Sequence, residues 1–378
     1  MTETGFIGLP CQVMAIRRLQ AFVTFLGKNY PGDIATWPRE YPPLAGLQWV
    51  QDIRLVIGVF CQGGRSYPQL PAILAENGII PAAVRAFAVR DTELLVSLAD
   101  GEQVIPLAGK LTARGLPGCA ICSDYTALLA DIAVNRKSAA PGLTTVITRT
   151  DLGRSVLRQM IDNGLLEPGT PEEGAGKIIE QEEKKRRRSA ENSGKHRPNL
   201  PPSFYTDSSF RVEDSIYDSL LQDFYMVKDI IRNDLCVLCG MCETVCPVQA
   251  MKLDGARPVY NNRCSDSICG LCFSTCPQTF VMQGVSQNRF FEEMGLYRQT
   301  EPGDIAAVRP AAKQPPDSTA EDNGVLAAIA GYCLREKLVS GFMLLHHWNT
   351  KRIRENLPGI DYGLLPAAVR QARGEKKS

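Results

Sequence analysis

Two cysteine blocks constrain this 378-residue chain more than any other feature. The first, CVLCGMCETVCP, sets Cys236, Cys239, Cys242 and Cys246 with two, two and three residues between them, and Pro247 follows directly. The second, CSDSICGLCFSTCP, carries Cys264, Cys269, Cys272 and Cys276 ahead of Pro277, and its first gap is four residues. In such a run three closely spaced thiolates wrap one corner of an iron–sulfur cubane, while the fourth reaches across to a second cluster. That crossing rule predicts one 4Fe-4S cluster on Cys236, Cys239, Cys242 and Cys276, and another on Cys264, Cys269, Cys272 and Cys246. Gly240 supplies the turn freedom that lets backbone amides point at sulfur. Paired CxxC motifs also hold zinc, but zinc ribbons do not need eight cysteines in two CxxCxxxCP blocks. Two adjacent clusters make a one-electron conduit whose potentials depend on hydrogen bonds to sulfur and on solvent exposure.

Cysteine usage also bounds the environment. Of 13 cysteines, 12 fall in sets suited to metal ligation; Cys333 sits mid-helix and reads as core. Secreted disulfide scaffolds are small, and MTETGFIGLP lacks a basic-then-apolar layout, so the expectation is a reducing, cytoplasmic setting. The balance of 42 basic against 41 acidic residues gives no global reason to invoke nucleic acid. No apolar run reaches the roughly 18 residues of a membrane span. The three histidines, His196, His346 and His347, form no hydrolytic constellation with serine or carboxylate.

The predicted fold class is an α/β domain, then an α+β ferredoxin-like two-cluster domain, then a short helix–strand C-terminal segment. Residues 1–166 carry the α/β pattern. TGFIGL is a strand, and Val13, Ile16, Leu19, Val23 and Leu26 mark a helix over Gln12 to Leu26, stopped by Gly27. LVIGVF is another strand, Gln69 to Asn77 a helix, and a hairpin turns at Asp100-Gly101. GLTTVITRT is a further strand, with Asp151 capping the helix after it. Residues 167–205 read as a charged linker, in which Lys184 to Arg188 follow Glu180, Glu182 and Glu183 as a solvated helix end with no function. The cysteine module occupies 206–285, a second linker 286–321, a helix and strand 322–347, and a basic tail 348–378.

Four further cysteines are scattered: Cys11 in GLPCQ, Cys61 in GVFCQ, and Cys119 and Cys122 in GCAICSDY. Cys11 and Cys61 each follow an apolar strand, and in an α/β sheet such strand ends line one ligand-collecting edge. On spacing alone a third cluster, a zinc site and ordinary buried cysteines all remain open.

GLPCQVMAIRRL, IGVFC, GCAICSDYTALLADIAV and GLTTVITRTDLG, in that order over residues 4–166, resemble the beta-subunit family of coenzyme F420 hydrogenases and dehydrogenases, in its C-terminal domain. The resemblance implies an iron–sulfur flavoprotein in which FAD takes a hydride equivalent and passes electrons to a 4Fe-4S cluster. It implies that Cys11, Cys61, Cys119 and Cys122 hold that flavin-proximal cluster, the third of the chain. Asn135 departs from the family's usual glycine. Residues 322–345 resemble the start of the family's N-terminal domain, with Asp322-Asn323-Gly324 where the family tends to have Ser-Gly-Gly. Asn323 and Gly324 are therefore expected flavin contacts; Asp124 and Arg149 are candidates for polar contacts with a flavin or deazaflavin, or else for a surface salt bridge or a cap, and Arg17 and Arg18 face either an anionic cofactor or solvent. The family's usual order of parts is permuted here, which implies a split, rearranged or truncated gene and a partner chain completing the flavin site. The resulting expectation is an electron-transfer subunit of an oxidoreductase working with other redox subunits. The alternative is a ferredoxin-like carrier or adaptor without its own flavin.

Overall fold

The computed structural model describes residues 3–29, 47, 49–66, 69–80, 83–84, 86–90, 92–98, 100–107, 114–135, 142–170, 172–193, 226–231, 235–246, 250–254, 257–260, 271–279, 303–311 and 324–343. Cys264, Cys269, Asn323, the three histidines and the basic tail lie outside these residues, as does most of the amphipathic segment before the cysteine module.

A seven-stranded mixed sheet organises the chain. Strands β1 (Thr4–Gly8), β2 (Ile53–Val59) and β8 (Ile132–Val134) run parallel, and β14 (Phe342–Met343) adds to β1 in the same sense, with Gly5 opposite Phe342. Beyond β8 the sheet turns antiparallel through β9 (Thr144–Thr148), β13 (Asp304–Pro310) and β10 (Leu166–Pro168). The spatial order is β10-β13-β9-β8-β2-β1-β14. The central strands IRLVIGV and TTVIT are buried almost throughout, as near-continuous apolar or β-branched runs must be when both faces are covered.

Helix α1 (Pro10–Asn29) starts where β1 ends, and its N-terminus explains the GLPCQ motif. Pro10 takes the first helical position, where its missing N–H costs nothing. Two residues later the Gln12 side chain reaches back and accepts a 2.8 Å bond from the Leu9 amide, a capping-box contact. Val13, Ile16, Leu19 and Phe22 then bury one helix face, each contributing on the order of 1.5–3 kcal/mol on transfer from water. On the same side of the sheet these residues join Val237, Met241, Val245 and Leu271 of the cysteine module in one apolar cluster. The opposite side is closed by α4 (Asp151–Asp162) and α8 (Val325–Arg335), whose Val156, Met160, Leu326 and Ile329 pack on Ile7, Leu55 and Ile57. The α4 cap is Thr150, one residue before the expected Asp151: its hydroxyl accepts from Gly153 N at 3.2 Å.

An insertion between β2 and β8 holds a two-residue pair, β3 (Arg65–Ser66) with β7 (Arg114–Gly115), and a small separate layer. In that layer α2 (Leu70–Glu76) covers a meander of β4 (Ala86–Arg90), β5 (Glu93–Ser97) and β6 (Glu102–Pro106) around Ile73, Leu94 and Ile105. The expected turn at Asp100-Gly101 joins β5 to β6, and a further turn joins β4 to β5. The same insertion ends in the four-residue helix α3 (Pro117–Ala120).

Two segments read as linkers are elements of the fold. Residues 304–310 form β13, which pairs with both β9 and β10. Residues 172–193 form α5 (Glu172–Ser193), which packs on β9 and β13. Both are polar enough to hide from a hydrophobic pattern: α5 buries Lys185 and Ser189 beside Ile178, and β13 buries only Ala307 and Val308. In the cysteine module the described residues form a turn of wide π-helix (Met226–Ile231), the short helices α6 (Met241–Thr244) and α7 (Leu271–Thr275), and a hairpin of β11 (Met251–Asp254) and β12 (Arg257–Tyr260).

Candidate metal centres

Parallel strands carry Cys11 and Cys61 to the same sheet edge. Cys11 is the second residue of α1, just past β1, and Cys61 stands two residues past β2. The Cys61 amide bonds the Tyr125 carbonyl at 2.9 Å, tying this strand end to the loop that follows the CxxC pair. Cys119 lies in α3 and Cys122 just beyond it. Gly64 N donates to Cys119 Sγ at 3.2 Å, and a Cβ on Gly64 would collide with Leu116 and crowd that sulfur at 3.4 Å.

All four thiols stand within electrostatic range of one another. Burial pushes the Cys11 thiol well above its ordinary value, and the neighbouring Cys239, Cys61, Cys119 and Cys122 add to the effect. Cys119 is pushed up to about 12 by burial, then by Cys61 and Cys122, with the Gly64 amide and Lys185 opposing. Burial also raises Cys122, against Lys185. Left alone, Cys11, Cys119 and Cys122 remain neutral thiols; a bound cation that takes them as thiolates reverses that preference. Among the described residues no three His, Cys, Asp or Glu side chains close on a point as tightly as a single metal ion requires.

The second set is assembled across the cysteine module. Burial raises Cys239 and Cys242 well above the ordinary thiol range and Cys236 to about 12, and Cys276 acts on all three. Leu238 and Gly240 both adopt left-handed backbone, with φ of 56° and 82°. That conformation turns the Leu238 amide back onto Cys236 Sγ at 3.3 Å. Ala250 N donates to Cys246 Sγ at 3.1 Å in the same way. Cys272 acts on Cys242, so its α7 position borders this group, while Cys264 and Cys269 lie outside the described residues. Thiols partly or fully withdrawn from water, inward amides and glycine-lined turns are the donor set that 4Fe-4S clusters use, and the residues present fit such groups at both places.

The two places adjoin. Cys239 acts on Cys11, and Cys119 acts on Cys236. A Cβ on Gly118 would stand 2.1 Å from the Leu235 carbonyl oxygen, so the two loops meet backbone to backbone. Gln278 Nε2 donates to the Gly118 carbonyl at 3.3 Å.

Several residues that secure this arrangement escaped the sequence. Arg18 is buried and its guanidinium donates to the Cys276 carbonyl at 2.5 Å, joining α1 to the cysteine module. Burial lowers it to about 10, against the pull of Cys276 and Cys239, so it remains a cation at neutral pH. Arg17 pairs with the buried Asp131 at 3.0 Å, and Asp131 also accepts from Val56 N at 2.7 Å. Both guanidiniums are thus engaged by partners within the chain. From α5, Lys185 Nζ donates to the carbonyls of Cys61 (2.6 Å) and Asp124 (2.5 Å). Arg188 donates to those of Gln62 and Cys119, and Ser189 to that of Ile121 at 2.6 Å. The available signal was the helical spacing Ile178, Glu182, Lys185, Ser189, which is polar and so invisible to an apolar-periodicity test.

Of the expected flavin contacts, Asp124, Arg149 and Gly324 have partners within the chain. Asp124 is buried and its carboxylate accepts from Leu128 N at 3.2 Å. Burial raises its pKa, against Lys185 and Arg149. Arg149 donates to Thr126 Oγ1 at 2.8 Å and to the Ala127 carbonyl at 3.2 Å, bracing a loop in which Ala127 has a φ of 53°. Gly324 caps α8 in left-handed backbone (φ 78°). Asn135 follows β8, its amide bonded to the Thr145 carbonyl.

Comparison with known proteins locates both parts. Residues 1–174 match the family model for the C terminus of the coenzyme F420 hydrogenase/dehydrogenase beta subunit, and residues 229–252 match that for the 4Fe-4S binding domain. The coenzyme F420 hydrogenase subunit beta of Methanothermobacter thermautotrophicus is 30% identical over 173 residues, 45% of this chain and 54% of that protein. The coenzyme F420-dependent sulfite reductase of Methanocaldococcus jannaschii is 26% identical over 41% of this chain and 23% of its own. A chain of the F420-reducing NiFe hydrogenase complex from Methanosarcina barkeri overlaps 52% of this chain and 62% of its own at 22% identity, with a TM-score of 0.34. The chain spans about half the length of the hydrogenase beta subunits it matches. Mixed α/β domain and cysteine module thus have separate likenesses: residues 1–174 match the C terminus of the coenzyme F420 hydrogenase/dehydrogenase beta subunit, and residues 229–252 match a 4Fe-4S binding domain.

Proposed function

We propose that the chain is an iron–sulfur electron-transfer subunit of an oxidoreductase, passing electrons between a flavin or F420-type hydride carrier and partner redox proteins. Cys11, Cys61, Cys119 and Cys122 hold one 4Fe-4S cluster. Cys236, Cys239, Cys242 and Cys276 hold a second, and Cys246, Cys264, Cys269 and Cys272 a third, in a ferredoxin-like arrangement. Such clusters carry single electrons. The chain's own residues place the thiolates, aim amides at sulfur and exclude water.

The observation that carries this reading is the junction between the first two sets. Cys11 lies within electrostatic range of Cys239 and Cys119 within range of Cys236, with Gly118 against Leu235 between them. Iron and acid-labile sulfide counts on the anaerobically reconstituted chain test the ligand set. Cys11→Ala is expected to lose about four irons, one cluster's worth, and an unchanged count refutes it.

A second reading, a carrier without its own flavin, is favoured by Asp124 and Arg149 being engaged inside the chain. The relatives matched are hydrogenase and sulfite reductase proteins that extend well beyond the shared region, so a partner chain completing a flavin site belongs to the first reading. FAD extracted from the purified chain supports that first reading. Full iron content without FAD, in the absence of a partner, supports the carrier.

A further inference from the structure

Helix α5 begins at Glu172, so nearly all of it lies beyond the matched family domain. Its residues 185, 188 and 189 nevertheless take the carbonyls of Cys61, Gln62, Cys119, Ile121 and Asp124, clamping both thiol-bearing loops to one helix face. Hydrogen bonding alone needs no charge here, since Ser189 does the same work with a hydroxyl. Lys185 is different: the residue is 5% exposed and its ammonium's two hydrogen-bond acceptors are neutral carbonyls. A buried cation is costly unless an anion compensates it. Asp124 is a carboxylate within range, and it also stands within range of the Arg149 guanidinium. Cys122, Cys61 and Cys119, three of the four thiols at the sheet edge, are within range too, as is the Tyr125 hydroxyl.

We propose that α5 is a cationic strap whose Lys185 ammonium offsets the negative charge of a cluster held by Cys11, Cys61, Cys119 and Cys122, and thereby raises that cluster's reduction potential. Adding an electron makes an anionic cluster more negative, so a fixed positive charge beside it favours the reduced state; local charge is one of the established determinants of cluster potential. One electron enters from the reductant, and no bond forms or breaks. The inference rests on the four-thiolate reading above and concerns a residue outside the ligand set.

The test uses the full chain, reconstituted anaerobically with iron and sulfide and titrated with dithionite under EPR detection. The relevant signal is the one lost in Cys11→Ala. Lys185→Met, of similar length but neutral, is expected to keep the iron content and move that signal's midpoint negative. The expected shift is at least the roughly 59 mV that equals a tenfold change for a one-electron couple. Lys185→Arg is expected to hold the midpoint within half that shift, and the other signals stay in place in both variants. A Lys185→Met chain with intact iron and an unmoved midpoint, or with all signals shifted alike, overturns the inference. Loss of that cluster in Lys185→Met but not in Lys185→Arg supports the charge requirement, whereas loss in both marks a packing role and overturns it. Full iron content in Cys11→Ala refutes the ligand set itself, an outcome separate from any change at Lys185.

Discussion

Replacing Gly118 by alanine places a methyl group where the backbone of the cysteine module already stands. The added Cβ would lie 2.1 Å from the Leu235 carbonyl oxygen, 2.6 Å from its carbonyl carbon and 2.8 Å from the Cys236 carbonyl oxygen. All three are backbone atoms, so no side chain can rotate away, and the two loops must separate by about 1 Å to restore ordinary contact; overpacking of this kind costs about 1–3 kcal/mol. The shift falls where Cys119 faces Cys236 and where Gln278 bonds the Gly118 carbonyl. Gly115, three residues earlier, is the control: a Cβ there meets nothing within 4 Å, and alanine is expected to change stability by no more than about 1 kcal/mol. Chemical denaturation of the two variants beside the wild type measures the difference. Hydrogen exchange locates it, with Gly118→Ala loosening residues 235–246 and leaving α4 and β9 protected. Equal stability of the two variants, or uniform loosening, would refute the backbone-contact account of how the module docks.

Three other outcomes follow from individual contacts. Asp131→Ala leaves the Arg17 guanidinium and the Val56 amide without their shared carboxylate, and should cost about 3–5 kcal/mol, as for a broken buried pair, read from the urea midpoint. Thr150→Ala removes the side-chain cap of α4 and should cost about 1 kcal/mol, visible as a lowered thermal midpoint that Thr150→Ser restores. Arg18→Gln removes a buried charged donor from the Cys276 carbonyl and should cost about 1.5–3 kcal/mol, with faster proteolysis in the cysteine module than in the sheet domain.

Some of this molecule is legible residue by residue. The apolar runs TGFIGL and TTVIT become central strands because only sheet interiors take such stretches without exposing them. Leu70–Glu76 and Val325–Arg335 are helices close to their expected bounds. Cys11 and Cys61 lie at one sheet edge because parallel strands carry their following residues to the same side. Other parts were concealed by polarity. The charged stretch around Lys185 scores as solvent-facing in any hydrophobic reading, yet its stripe is buried because carbonyls of the cysteine loops accept its donors. The strand Asp304–Pro310 gains its place from two flanking partners rather than from its own composition.

By itself the sequence determined the chemistry: which residues are thiols, how closely the eight of the cysteine module are spaced, and which runs become strands. These are properties of neighbours along the chain, where spacing and period suffice. Tertiary structure alone decided that the cysteine module packs on α1, that Arg18 and Gly118 form the seam, and that a charged helix closes over the sheet-edge thiols. Those contacts join residues up to 258 positions apart, and whether a buried lysine or a bare glycine is tolerated depends on the atoms facing it, which no local pattern records.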